Sequence, residues 1–525
     1  MSMYLQVTFR FLLSSIVLAA LMVSTALAAD LTTVKVESGV VHGIAAADVI
    51  SFKGIPYAAP PIGELRWRVP QPVRPWEGVR EASKFGPACM QTDDLPKSED
   101  CLTINVWRPT KDSREPYPVM VWIYGGALVR GNTALYPGDA LAAQGLVVIS
   151  MNYRLGRLGF FAHPALAEES PGEPIGNYGY MDQLAALKWV QRNIAAFGGD
   201  PNKLTIFGES AGGGSVMSHL VSPLSRGLFR AAILESPGIP TGRVESVPAT
   251  PLAEAEATAV AYARYVGVNR DGAGALKALR ALPAEMLVEG ASGEVVLTSL
   301  GNGQRLVGLA GSIIDGKFLT DSPEAVFKAG GQAMVPMIIG ANDRDLVIGE
   351  AVTKEDLFAL FGDYAAEARA IYDSEGSETL EELKQQVLAD RTLVEPSRNI
   401  ANLAATGGQP TWHYRFSYVA EALRSNPKWK GAPHGMEIPY VFGIPAAIVR
   451  DKVTNADKEM AKLASAYWVA FAKTGDPNGE SRPAWPRHNP SVDSIINFTN
   501  GGIVVGPDPL KARLDLWQKV FDANK

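Results

Sequence analysis

A chain of 525 residues with 47% hydrophobic and 20% charged content has the balance of a soluble globular protein. Its 49 basic and 55 acidic side chains leave a net charge of −6, which argues against a nucleic-acid partner, because such proteins concentrate an excess of lysine and arginine. Length alone suggests two or three domains, but Pro and Gly are spread along the chain and no linker or internal repeat divides it, so one domain over residues 29–525 with long insertions is expected.

The N-terminus carries Arg10, an apolar run from Phe11 to Met22 and the small-residue site Ala26-Leu27-Ala28. This pattern predicts a secretory signal peptide over 1–28, and hence a secreted or periplasmic protein with no stable membrane span once the peptide is cleaved. An uncleaved anchor is the alternative. The two cysteines, Cys89 and Cys101, flank a polar loop. In an exported chain a disulfide is the natural reading, two free thiols are the alternative, and a metal site is disfavoured because no histidine lies nearby to complete it.

Short alternating runs from Val34 to Ile50 predict an N-terminal hairpin. The turn-rich, aromatic stretch Phe52–Trp67 reads as a packed loop over a sheet edge or as a pocket wall. Val119–Tyr124 and Leu146–Met151 are continuous apolar runs, suited to strands buried on both faces of a parallel or mixed sheet. Tyr180 to Ile194 has helical spacing and ends at Gly198-Gly199-Asp200-Pro201. A strand from Leu204 and another at Arg230–Leu234 follow, so strands and helices alternate as in a doubly wound sheet. Residues 251–300 and 377–387 read as helical insertions over the sheet, with Val335–Ile339 as a strand between them.

The strand from Leu204 runs into Gly208-Glu209-Ser210-Ala211-Gly212. A Gly-x-Ser-x-Gly turn holds its serine in a strained strand-to-helix bend, which exposes the hydroxyl and aims the next amide, that of Ala211, at a developing oxyanion. Ser210 is therefore the candidate nucleophile. Gly125 and Gly126 follow the Val119–Tyr124 strand, and without side chains their backbone can approach a ligand, so they are candidate oxyanion donors with Ala211. Past Ile339 the loop Asn342-Asp343-Arg344-Asp345 offers carboxylates at a strand end, where an acid reaches an active site in an α/β sheet.

Of six histidines, His434 is favoured as base. It lies in a Pro/Gly loop and follows both serine and acid, the chain order expected of an α/β-hydrolase. His413 reads as a packed or surface histidine, and His219 belongs to the helix that starts after Ser210. Glu209 is expected to have a structural role, pointing away from Ser210 into a polar network under the sheet, with a catalytic role as the alternative; Ser236 reads as a plain turn serine, with a place near the triad as the alternative.

Taken together, Gly208-Glu-Ser-Ala-Gly-Gly, Tyr124-Gly-Gly, Glu99-Asp-Cys-Leu, Phe52-Lys-Gly-Ile-Pro-Tyr-Ala, Asn152-Tyr-Arg-Leu-Gly, Gly176-Asn-Tyr-Gly-Tyr-Met-Asp-Gln, the His434 loop and Tyr467–Asn478 closely resemble the type-B carboxylesterase family, which includes the cholinesterases. The resemblance covers nearly the whole mature chain. It implies an α/β-hydrolase fold, with a central, mostly parallel mixed sheet flanked by helices and helical insertions over the active site. It also implies a triad of Ser210, Asp345 and His434, an oxyanion hole from Gly125, Gly126 and Ala211, and a Cys89–Cys101 disulfide. The acid position departs from the family pattern of glutamate then glycine, being Asp345 followed by Leu346, which leaves Asp343 and Glu350 as rivals.

The function implied is an exported carboxylesterase working on a small-molecule ester through an acyl-enzyme. A thioesterase, amidase or lipase using the same triad is the runner-up, and a non-catalytic binding protein on the same scaffold is the reading from another class. Nothing in the sequence indicates a metal, nucleotide or other cofactor.

Overall fold

The computed structural model describes residues 31–111, 113–238, 249–301, 306–349 and 351–523. The expected signal peptide over 1–28 and the rival acid Glu350 lie outside the described residues.

Eleven strands form one sheet: β1 Ile44–Ala46, β2 Val49–Pro56, β3 Thr103–Pro109, β4 Tyr117–Ile123, β5 Val147–Met151, β6 Gly199–Glu209, β7 Ala231–Glu235, β8 Met337–Asn342, β9 Thr411–Phe416, β10 Ser494–Thr499 and β11 Gly502–Pro507. Their spatial order is β1-β2-β3-β5-β4-β6-β7-β8-β9-β10-β11. From β5 through β10 the strands run parallel, and antiparallel pairs close both edges. This is a mostly parallel mixed sheet flanked by helices, an α/β-hydrolase fold. The expected hairpin is present as Thr33–Val36 against Gly39–His42, packed as a small separate sheet with Val79–Glu81.

The apolar runs behave as their composition requires. All five residues of β5 and of β7 are buried, because helices cover both faces of the sheet. The ring of Trp122 on β4 packs against Tyr136, Phe207 and Phe442, with centroids 4.8–5.1 Å away. Helix α1, Tyr178–Asn193, starts two residues ahead of the predicted position and passes through a 3-10 turn into Gly198, whose φ of 77° supplies the left-handed stop. Sheet pairing of β6 begins at Gly199, ahead of the expected Leu204, because Gly199 pairs with Tyr117 before an irregularity absorbs Asp200–Lys203.

The insertions are helical as read. Leu252–Tyr265, Gly272–Arg280, Ala284–Val288 and Gly293–Gly301 lie in the first, and Leu380–Ala389 in the second. Leu276, Leu279, Leu287 and Tyr262 of the first bury against Phe161 and Leu166, forming a core separate from that of the sheet. Among the described residues no helix is long and apolar enough to cross a membrane.

Candidate active site

Strand β6 ends at Glu209 and helix α2 begins at Ala211, leaving Ser210 alone in the bend with φ 56° and ψ −126°. A non-glycine residue at positive φ is strained, and here neighbouring backbone holds it in place. Ser210 donates its amide to the Glu235 carbonyl at 2.9 Å, and its own carbonyl accepts from Gly214 and Gly238 at 2.9 and 3.1 Å. Gly212 has to be glycine, since a Cβ there would sit 2.0 Å from the Ile123 carbonyl oxygen. The Gly125–Gly126 loop runs beside the serine, so close that a Cβ on Gly125 would lie 2.8 Å from that of Ser210. Ala127 and Leu128 continue the loop at φ 55° and 61°.

Asp345 arrives on the loop after β8 and His434 on the loop after β9, and the structure brings them together. His434 Nδ1 lies 2.5 Å from Asp345 Oδ1. That carboxylate is fully occupied, accepting from the Leu346 amide at 2.7 Å, the Asn342 amide at 2.9 Å and the Ser236 hydroxyl at 2.7 Å. Asp345 is 2% exposed. Burial raises its carboxyl, but the charge and hydrogen bond of His434 and the bonds from Ser236 and Asn342 outweigh that and hold it below the usual carboxylate range. The rival Asp343 does a different job: it accepts the Ala432 amide at 2.7 Å, while the Arg344 amide donates to the Ala432 carbonyl at 3.1 Å, so the acid's loop and the histidine's loop are laced together.

Two expectations need correction. Glu209 does not turn away from the site: its Oε1 lies 3.2 Å from His434 Nε2, without the alignment of a hydrogen bond. Glu209 is the last residue of β6, in register with Glu235, and what its carboxylate meets is the His434 loop, which is remote in sequence. Ser236 is no plain turn serine, because at φ 40° it follows β7 and its hydroxyl anchors Asp345. Sequence reasoning missed Glu437 entirely. This carboxylate accepts from Asn342 Nδ2 at 2.5 Å and lies three residues past His434, a spacing within one loop that was the available signal. Glu235 was missed as well; Trp468 Nε1 donates to it at 2.8 Å.

Glu209, Asp345 and Glu437 thus put three buried carboxyls around one imidazole, with buried Glu235 beside Glu209 and Glu437. Burial opposes the charged form of His434, but Glu209, Asp345 with its hydrogen bond, and Glu437 push it up to about 10. Burial and neighbouring acids, against the opposing pull of His434, bring Glu209 to about 7. Burial, Glu209 and Asp345 likewise raise Glu437 to about 8. Protons are shared within such a cluster rather than owned by single residues.

A cleft with a cavity volume of about 130 Å³, partly open to solvent, borders Ser210 and Ala211. Its described wall is mainly Leu, Val, Ile, Ala and Gly with a few hydroxyls, and no charged side chain lines it among the described residues. The site thus sets a strained serine at the cleft, the Gly125–Gly126 loop beside it and, next to Glu209, an imidazole oriented by Asp345, the components of acyl transfer.

Elsewhere Cys89 and Cys101 form a disulfide with Cα atoms 5.0 Å apart. His413, His488 and Asp493 are buried with ligand atoms within 4.8 Å of one another, the one grouping of metal-ligand type among the described residues. Their charges are already balanced: Asp493 pairs with Arg398 at 2.7 Å, and His488 Nε2 lies 2.7 Å from Asn402 Oδ1. His219 meets Ser225 and Gln183 inside α2's surroundings, away from the acid.

Residues 30–517 match the profile of the carboxylesterase family. Over 503 residues the chain is 36% identical to the fumonisin B1 esterase of Sphingopyxis macrogoltabida, covering 91% of this chain and 88% of the relative. It is 34% identical over 518 residues to the para-nitrobenzyl esterase of Bacillus subtilis (strain 168), covering 94% and 99%. It is also 34% identical over 524 residues to the human cocaine esterase, covering 90% and 88%. On its fold and on these matches the chain belongs to the carboxylesterase family, a family of carboxylic-ester hydrolases.

Proposed function

We propose that this protein hydrolyses a small-molecule carboxylic ester by two acyl transfers through Ser210. The observation that carries the reading is the 2.5 Å contact of His434 with Asp345, the ring lying 3.2 Å from the carboxylate of Glu209, the residue just before a serine held at φ 56°. With Nδ1 committed to Asp345, Nε2 is the nitrogen left to take the Ser210 proton as Oγ bonds to the ester carbonyl carbon. Gly125, Gly126 and Ala211 supply the amides for the oxyanion. Collapse of the tetrahedral intermediate breaks the bond to the alcohol oxygen, which leaves with the proton from His434. Water then gives a proton to the same nitrogen, attacks the acyl-enzyme and releases the acid, restoring Ser210. Asp345, fixed by Ser236 and Asn342, orients the ring and favours the imidazolium.

The protein is exported, with residues 1–28 removed. The residue pattern of that segment and the Cys89–Cys101 bridge, a bond that lasts in oxidising compartments, support this. A fluorophosphonate probe tests the chemistry: it labels the wild type on a peptide containing Ser210 and leaves Ser210→Ala unlabelled. Labelling that survives in S210A overturns the assignment. An extracellular or periplasmic product whose N-terminus lies beyond residue 28 is the expected result for export, and retention of the full leader in the cytoplasm contradicts it.

A further inference from the structure

The loop that delivers Asp345 also builds one wall of the cleft. Leu346 and Ile348 border the cavity together with Ser210, whereas Val347 between them packs into the core formed by Leu357, Phe358 and Leu383. The alternation is that of an extended segment, one face toward the cavity and the other toward the helical insertion. Leu346 is rigidly placed, because its amide donates at 2.7 Å to the same Asp345 oxygen that meets His434. Its side chain borders the cavity and is not part of that core. Ala127, Leu128, Val296 and Leu309 complete an apolar lining. Two of the nearby hydroxyls are already engaged within the protein, Thr250 with the Ala310 carbonyl and Ser312 with Tyr180, each at 2.6 Å.

We propose that Leu346 is a specificity-determining residue: its isobutyl group fills space beside Ser210 that an apolar arm of the ester would otherwise occupy, and so limits the size of that arm. The inference rests on the esterase reading above. Discrimination by an apolar wall is worth about ten- to two-hundredfold per methylene, enough to be read in relative kcat/KM. The arm is either the acyl chain or the alcohol, and both present the same apolar chemistry to the wall.

The test compares the wild type, Leu346→Ala and Leu346→Trp on two series, nitrophenyl esters from acetate to decanoate and acetate esters of alcohols of increasing size. Fluorophosphonate titration of each protein counts competent Ser210 sites, so loss of the esterase reading is seen separately as absence of labelling. L346A is expected to raise the long-to-short ratio of kcat/KM by about tenfold in at least one series, and L346W to lower it. A shift in the acyl series places the acyl chain against Leu346, and a shift in the alcohol series places the alcohol there. Ratios within twofold of wild type in both series for both variants, with labelling intact, overturn the proposal. So does a uniform fall in kcat/KM for all esters, since that marks a structural effect on Asp345. If L346A does not fold, Leu346→Val carries the same test with a smaller shift.

Discussion

His434 with Asp345, and His413 with His488 and Asp493, are both buried groupings of imidazole and carboxylate on or beside the sheet. The first is joined to the cleft wall through Leu346, and Glu209 and Glu437 beside it have no lysine or arginine partner among the described residues, so its imidazolium is favoured. The second is sealed and set among arginines. Burial, His488, Arg415 and Arg398 all hold His413 well below the ordinary histidine range, and neither of its ring nitrogens meets a hydrogen-bond partner among the described residues. In the proposed mechanism the same side chains thus serve chemistry in one place and packing in the other. Access to a cavity and the sign of the surrounding charge decide between the two.

The comparison can be broken at several points. Ser210→Ala or His434→Leu is expected to reduce kcat by roughly five to six orders of magnitude, whereas His413→Leu, which removes no satisfied hydrogen bond, keeps kcat/KM and changes stability by about 1 kcal/mol or less. Steady-state kinetics and denaturant unfolding measure both, and loss of activity in H413L erases the distinction. Asp345→Asn retains the shape but not the charge, and a fall in kcat of about 10⁴ is expected. Ser236→Ala removes one of the bonds that fix Asp345, with an expected loss of roughly tenfold in kcat, measured by steady-state kinetics.

The smallest effect concerns pH. A general base works when neutral, so activity rises with pH as the imidazole loses its proton. Glu209 favours the imidazolium, and Glu209→Gln therefore lowers the pKa of His434 and moves the acidic limb of the kcat/KM profile to lower pH by about one pH unit. A limb that stays in place, or moves to higher pH, shows that Glu209 carries no charge when the base titrates.

The sheet, the strained serine and the histidine loop were legible from sequence because each rests on local patterns: apolar runs, a glycine-framed turn and a Pro/Gly loop. Asp345 was harder. Local pattern alone did not separate Asp343 from Asp345, and the choice between them came from family resemblance. What separates them physically is Ala432, an amide on a loop 89 residues further on that claims Asp343. Ser236 and Glu437 were hidden for the same reason, since only the parallel register of β7 with β8, which sets Glu235 opposite Gly340, brings Ser236 to the acid. Glu209 was misread because the group its carboxylate meets, His434, arrives on the loop after β9, which no local pattern places beside it.

The lacing of Arg344 to Ala432 and Pro433 has a consequence for how such a molecule can diversify. The acid and base loops are joined directly, so the helices between Lys354 and Val394, which pack largely in a core of their own and bring Leu393 to the cleft, lie within a chain loop closed near the proposed chemistry, while Glu395–Thr406 packs on the sheet. Doubling the length of such a loop costs only about 0.6 kcal/mol in closure entropy. Insertions, deletions and wholesale resequencing there can remodel what covers the cleft while the proton-transfer pair stays in register.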